Sequence, residues 1–180
     1  YYENNITAYV VNENPTVSNQ VELKEVDDVK ELNQLNEGWY KVINGYVFYL
    51  EHVGAVPRAV LTDLDSFLPD PLTVERALTP RTRAIILNYP NNPTGRNYPP
   101  SLLREFGALA EKHGLLLIAD EPYKRILYQG EFTSLLSISP QVVVVGSHSK
   151  DLGLAGERIG YLAFAPDLEG ADALIEACVF

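Results

Sequence analysis

From about Val60 onward, short apolar runs are separated by helix-like segments, and this alternation constrains the fold more than any other feature. Four runs are typical of strands: RAIILNYP, LLLIADEP, QVVVVGSHS and RIGYLAFAP. Apolar runs without polar alternation suit strands that are buried on both faces, and such strands belong to sheets that helices cover. The sequence therefore predicts an α/β fold with a mainly parallel sheet flanked by helices.

The segment PPSLLREFGALAEKHG, between the first two runs, has the pattern of an amphipathic helix. Five apolar residues fall on one helical face: Leu102, Leu103, Phe106, Leu109 and Ala110. Pro99 and Pro100 suit the first turn, and Gly114 is typical of the residue that ends a helix. A further helix is predicted to begin in EGADALIEACVF.

The chain before the alternating region has a different pattern. VELKEVDDVKELNQLNEG carries an apolar residue every three positions and predicts an amphipathic helix with a charged outer face. We divide the chain into a divergent N-terminal segment, residues 1–45, and a core, residues 46–180. The sequence shows no clear linker between them, so we expect the first segment to pack on the same domain.

Composition excludes several classes of partner. The chain has 180 residues, a formal net charge of -10 and one cysteine, Cys178. We expect no nucleic-acid partner, because nucleic-acid binders concentrate Lys and Arg on one face. We also expect no membrane span, since no apolar run approaches the ~20 residues that one needs. The single cysteine favours a reducing compartment, so the cytoplasm is the expected location. The lack of any methionine suggests a processed product or a fragment.

Polar residues follow three of the apolar runs at the point where each strand is predicted to end. The three segments are 88–95, 120–123 and 147–150. Ligands of parallel α/β sheets bind beyond the carboxyl ends of the strands, so these segments are expected to converge on one site. Lys150 directly follows a run that reads as buried, which is an unusual place for a solvated lysine.

Three segments resemble, in order and spacing, signatures of the fold-type I pyridoxal-phosphate enzymes of the class I/II aminotransferase family: NYPNNPTG, ADEPYKRILY and SHSKDLGLAGERIGY. The resemblance runs from about Tyr46 to Phe180. It implies an α/β/α partial large domain, pyridoxal 5'-phosphate bound through a lysine Schiff base, and transamination between an amino acid and a 2-oxo acid. It also implies a homodimer and no metal.

By this resemblance, Lys150 is the catalytic lysine that forms the Schiff base. Asp120 matches the carboxylate beside the pyridine nitrogen of the cofactor, where it stabilises the protonated ring. Tyr123 and Asn92 match the hydrogen-bonding partners of the ring's phenolic oxygen. The alternatives are a surface lysine at position 150, an aspartate at 120 that caps the next turn, and turn or packing roles for Asn92 and Tyr123.

The resemblance also assigns the phosphate. Ser147 and Arg158 match family phosphate ligands, and a guanidinium suits this role because its planar fork holds two oxygens at once. An ion pair of Arg158 with Glu157 or Asp151 is the alternative. Tyr46 matches an aromatic residue that stacks on the cofactor ring, with core packing as the alternative. His148 is expected to pack on the opposite side of the strand from Ser147.

The sequence departs from the family pattern at three places. Family members are considerably longer, and the arginine that binds the substrate carboxylate lies in a C-terminal portion without a counterpart here. TVSNQVELKEVDD lacks the glycine of the family's phosphate-binding turn, and LNEGWYKVINGYVFYLEHVG resembles the family's next strand only loosely. These departures support an alternative, namely a truncated or engineered non-catalytic domain that binds the cofactor weakly or not at all. A dinucleotide-binding domain is disfavoured, because no strand is followed by G-x-G-x-x-G.

Overall fold

The computed structural model of the chain describes the backbone of residues 6–13, residue 46 and residues 49–178. The predicted helix at 21–38 and the segment at 16–28 that was compared with the phosphate-binding turn lie outside the described residues.

A mixed six-stranded sheet, in the order β2-β1-β3-β4-β5-β6, organises the described chain. Its strands are β1 (Ile6–Glu13), β2 (Ala55–Leu61), β3 (Thr82–Asn88), β4 (Leu116–Asp120), β5 (Val142–Ser147) and β6 (Gly160–Phe164). The β3–β4 and β4–β5 pairs are parallel, whereas β1 and β6 run antiparallel to their neighbours. Four strands therefore point in one direction, which confirms the prediction of a mainly parallel sheet.

Helices connect and cover these strands. They are α1 (Pro71–Ala77), α2 (Pro100–His113), α3 (His148–Asp151) and α4 (Ala171–Cys178), with a 3-10 turn at Leu135–Ser137. Both α2 and its boundaries follow the sequence prediction. Pro99 is the N-cap, Pro100 is the first helical residue, and Gly114 ends the helix in the left-handed conformation with φ 62°. None of the described helices has the length and apolar character needed to cross a bilayer.

The main core lies between α1, α2 and one face of the central strands. All five apolar residues predicted on one face of α2 are buried. Ile85 and Leu87 of β3 pair in register with Leu117 and Ala119 of β4, and all four are fully buried. Because alternate residues of a strand share a face, these two pairs form one apolar surface, and α2 covers it.

Within the segment 35–54, which was compared with the family's next strand, residues 46 and 49–52 are helical, so this part is not a strand; residues 35–45, 47 and 48 lie outside the described residues. Tyr46 and Leu50 are half-buried and Tyr49 is exposed, which is the pattern of a helix with one inner face, since positions four apart lie on the same side. Gly54, with φ 77°, follows the end of this helix, and β2 begins directly afterwards.

Gly146 of β5 is paired with Tyr161 of β6, and the tyrosine ring lies directly over the glycine. A Cβ atom at position 146 would lie 2.1 Å from the ring. The glycine thus allows Tyr161 to lie flat against β5 close to the strand end that carries Ser147.

Candidate active site

The three polar segments predicted to converge lie at one edge of the sheet. Strands β3, β4 and β5 are parallel neighbours, so their carboxyl ends meet at the same edge. Asn88 pairs in register with Asp120, and Asp120 pairs with Val145, two residues before Ser147. The topology of the central strands therefore gathers the residues that follow them, as the sequence predicted.

Asp120 closes β4 with a half-buried carboxylate that has two side-chain donors. The Tyr46 hydroxyl donates to Oδ2, and the Asn88 Nδ2 donates to the same oxygen at 3.1 Å. Burial raises the pKa of Asp120, because it disfavours the charged form, while the bonds from Tyr46 and Asn88 act in the opposite direction. Both donors therefore favour the ionised carboxylate.

Asn88 connects Asp120 to the turn that follows β3. Its Oδ1 accepts a hydrogen bond from the backbone N–H of Asn92 at 3.1 Å. The Nδ2 of Asn92 in turn donates to the hydroxyl of Tyr123 at 3.2 Å. A continuous set of hydrogen bonds therefore joins Tyr46, Asp120, Asn88, Asn92 and Tyr123, which are spread over 78 positions of the chain.

Ser147, Lys150 and Arg158 lie around the carboxyl end of β5 and the start of β6. The Ser147 Oγ accepts from the backbone N–H of Ser149 at 3.2 Å and caps α3, the four-residue helix that carries Lys150. Lys150 and Arg158 are exposed. Arg158 has a left-handed φ of 54°, and its Nη1 donates to the carbonyl of Ala155 at 3.2 Å.

Two side-chain contacts join the loop that follows Tyr123 to this region, one to α3 and one to β6. The Arg125 Nε lies 3.6 Å from Oδ2 of Asp151, whose side chain is only 5% exposed. The Lys124 Nζ lies 5.1 Å from the centre of the Tyr161 ring, over its face. Asp151 thus contacts Arg125, and among the described residues no ion pair of Arg158 with Asp151 or Glu157 is seen.

The strand assignment behind the expected orientation of His148 was wrong. The prediction assumed that the strand continues through Ser149, but β5 ends at Ser147 and His148 begins α3. Strand alternation therefore does not apply to it. Its Nδ1 lies 3.4 Å from Oδ1 of Asp151, and its ring centre lies 5.6 Å from that of Tyr161.

The seven residues predicted for the site fall into two sets in the structure. Tyr46, Asn92, Asp120 and Tyr123 belong to one hydrogen-bonded network, while Ser147, Lys150 and Arg158 surround the end of the neighbouring strand. The sequence did not predict that Asn88, the first residue of NYPNNPTG, connects Asp120 to Asn92 within the first set. Within the part of the chain that the structure describes, no group of three His, Cys, Asp or Glu residues could hold a metal ion.

Substituting Tyr46 by phenylalanine tests the bond to Asp120. We expect the free energy of unfolding to fall by about 1–2 kcal/mol at neutral pH, because a hydrogen bond to a charged group is lost. That bond lowers the pKa of Asp120, so its contribution is present above this pKa and is lost as the pH falls through it. Denaturant unfolding of both proteins over a pH series would check this; a loss of stability that does not depend on pH would contradict it.

The family pattern and several similar proteins found for this sequence are all aminotransferases. The sequence pattern of the family described as "Aminotransferase class I and II" matches residues 45–178. The chain is 43% identical over 109 residues to an aspartate/prephenate aminotransferase of Thermus thermophilus, covering 60% of this chain and 28% of that protein. It is 39% identical over 127 residues to an alanine aminotransferase of Mycobacterium tuberculosis, covering 68% and 30%.

Solved structures agree with the sequence relatives. The aspartate aminotransferase of Thermus thermophilus with maleate superposes with a TM-score of 0.57 at 38% identity, covering 64% of this chain and 30% of that one. The chain therefore spans only about 28–30% of the length of these three relatives. Because the family pattern covers most of the chain, and both the fold and the order of the site segments agree with it, the chain belongs to the class I and II aminotransferases.

Proposed function

We propose that the chain binds pyridoxal 5'-phosphate through Lys150 and serves transamination between an amino acid and a 2-oxo acid. The observation that carries this proposal is the hydrogen-bonded network from Asp120 to Tyr123 at the carboxyl edge of the sheet. Lys150 follows the adjacent parallel strand at the same edge. Membership in the aminotransferase family supports the cofactor and the reaction class.

The chemistry of the side chains at this edge fits the proposed cofactor. A carboxylate, Asp120, suits the protonated ring nitrogen, and the donors Asn92 and Tyr123 suit the phenolic oxygen. A hydroxyl and a guanidinium, Ser147 and Arg158, suit the phosphate. The amine of Lys150 suits the aldehyde carbon. Each functional group of the cofactor thus has a matching type of side chain among the described residues.

When bound, pyridoxal phosphate supplies an electron sink that stabilises negative charge at the substrate carbon. Asp120 would keep the ring nitrogen protonated, which requires that its own carboxyl stay ionised despite burial; the donors Tyr46 and Asn88 favour this state. The amine of Lys150 would hold the cofactor at its aldehyde carbon and would also be the group that moves the proton of the substrate's α-carbon.

The partners follow from the same proposal. An amino acid and a 2-oxo acid would be the substrates, as the names of the aspartate and alanine aminotransferases among the relatives suggest. We further propose a homodimer, and a cytoplasmic location because a single cysteine suits a reducing compartment.

A second candidate function is a domain that retains the fold without turnover. The bonds of Tyr46 and Asn88 to Oδ2 of Asp120 favour it, since they already occupy one of the two carboxylate oxygens that a cofactor ring nitrogen could use. The share of the relatives' length that the chain spans is consistent with it as well. In this case the chain would bind pyridoxal phosphate weakly or not at all.

Titration with pyridoxal phosphate, followed by borohydride reduction and peptide mapping, separates the two functions. We expect a visible Schiff-base band that saturates, and reduction that fixes one cofactor on the peptide containing Lys150. Free lysine at matched concentration is the control for non-specific condensation. Label spread over several lysines without saturation would contradict the proposed function and support the second candidate.

A further inference from the structure

Glu121 is a buried acid that the proposed chemistry does not use. It directly follows Asp120, yet it is only 1% exposed. The Tyr89 hydroxyl donates to its Oε1 at 3.0 Å, and the Ser134 Oγ lies 2.8 Å from Oε1 and 3.0 Å from Oε2. A buried carboxyl group without hydrogen-bond partners lowers the free energy of unfolding, so these bonds constrain where Glu121 lies.

The partner Tyr89 is itself held firmly in the core. Its ring is stacked on Tyr98, at 5.0 Å between centres, and on Phe132, at 5.5 Å. Its hydroxyl accepts a hydrogen bond from the backbone N–H of Leu135 at 2.8 Å. Glu121 is therefore bonded to a packed aromatic cluster rather than to a mobile surface side chain.

The two consecutive acids at the end of β4 are held by two consecutive residues at the end of β3. Asn88 donates to the carboxylate of Asp120 on the site side, and Tyr89 donates to the carboxyl group of Glu121 on the core side. Backbone hydrogen bonds fix the same residues: the N–H of Tyr89 donates to the carbonyl of Asp120 at 3.2 Å, and the N–H of Glu121 donates to the carbonyl of Val145 at 2.9 Å. Displacement of Glu121 would therefore move the peptide that carries Asp120.

We propose that Glu121 is a positioning residue, whose buried bonds to Tyr89 and Ser134 hold the carboxylate of Asp120 in place for the ring nitrogen of pyridoxal phosphate. This inference rests on the proposed function and assigns Glu121 no contact with the cofactor. It acts through the geometry of the β4 end, since side chains that support a site from behind commonly decide how well its contacting groups are placed.

Glu121→Gln is the first test, because the amide keeps the shape of the side chain while altering its hydrogen bonding. We would measure the dissociation constants of pyridoxal phosphate and of its deaza analogue, in which carbon replaces the ring nitrogen. We expect the dissociation constant for pyridoxal phosphate to rise about tenfold and that of the analogue to change about twofold or less. A purely structural role would affect both compounds equally.

A double-mutant cycle and a matched control complete the design. Combined with Asp120→Asn, the Glu121→Gln substitution should have no further effect on affinity if it acts through Asp120. Glu105→Gln, which removes the same charge from the exposed face of α2, should leave both dissociation constants unchanged. Should Glu121→Gln fail to fold, Tyr89→Phe removes one donor while keeping the ring, and it should show the same selectivity to a smaller degree.

The outcomes distinguish this inference from the proposed function. Binding by the wild-type chain that Glu121→Gln and Tyr89→Phe leave unchanged, or weaken equally for both compounds, would overturn the positioning role alone. A wild-type chain that binds neither compound would overturn the proposed function, and the positioning role with it.

Discussion

Lys150→Ala is expected to abolish the saturable Schiff-base band. No cofactor should then be fixed by borohydride at the end of β5, where Lys150 lies. The side chain supplies the only atom proposed to bond covalently to pyridoxal phosphate, so no partial effect is expected. Lys150 is exposed, and substitutions at exposed positions usually change stability by no more than about 0.5 kcal/mol. Absorbance titration and peptide mapping would therefore report on chemistry rather than on folding.

Lys124→Ala is the matched control, because the ammonium group of Lys124 lies over the ring of Tyr161, whose strand pairs with β5. We expect it to retain the band and the label at Lys150. A band of equal strength in Lys150→Ala, or label transferred quantitatively to Lys124 in the wild type, would contradict the assignment of Lys150. That result would favour the second candidate function, a domain that retains the fold without turnover.

Phe106→Ala is expected to have the largest effect on stability. Phe106 is a residue of α2; its side chain is 0% exposed and packs against the buried face of the sheet. Truncation of a buried phenylalanine removes its burial energy and leaves a cavity, at a cost of about 3–5 kcal/mol. Since whole domains are stable by about 5–15 kcal/mol, this would remove a large part of the folding free energy. Denaturant unfolding followed by circular dichroism would measure it.

Leu72→Ala provides the comparison for this substitution. Leu72 lies on α1 and is 64% exposed, so its truncation should change the free energy of unfolding by no more than about 0.5 kcal/mol. A loss of less than about 1 kcal/mol for Phe106→Ala would contradict the packing of α2 against the sheet.

Local sequence was sufficient for the elements whose signals are local. The face of α2, its proline start and its glycine end were predicted residue by residue, because helix periodicity and cap chemistry act over a few positions. The carboxyl ends of β3, β4 and β5 were predicted from the change from apolar to polar residues. Their meeting at one edge followed from parallel strand direction.

Local sequence was insufficient where the outcome depended on distant partners. The segment that includes Tyr46 was compared with a strand, but residues 46 and 49–52 are helical, and the Tyr46 hydroxyl reaches Asp120, 74 residues away. His148 was assigned to a strand, but β5 ends at Ser147, two residues before the end of the predicted run, and the Ser147 side chain caps α3 there. The sequence predicted no role for Glu121 in the site, because its partners Tyr89 and Ser134 come from two other segments.

The sequence by itself determined the fold class, the order of the three site segments and the types of side chain that they present, because hydrophobic periodicity and side-chain chemistry are properties of neighbouring residues. Tertiary structure alone decided which of those side chains touch. The pairing of β3 with β4 puts Asn88 beside Asp120 and Tyr89 beside Glu121. Such contacts depend on strand register and on the packing of side chains remote in the chain, and neither is encoded at any single position.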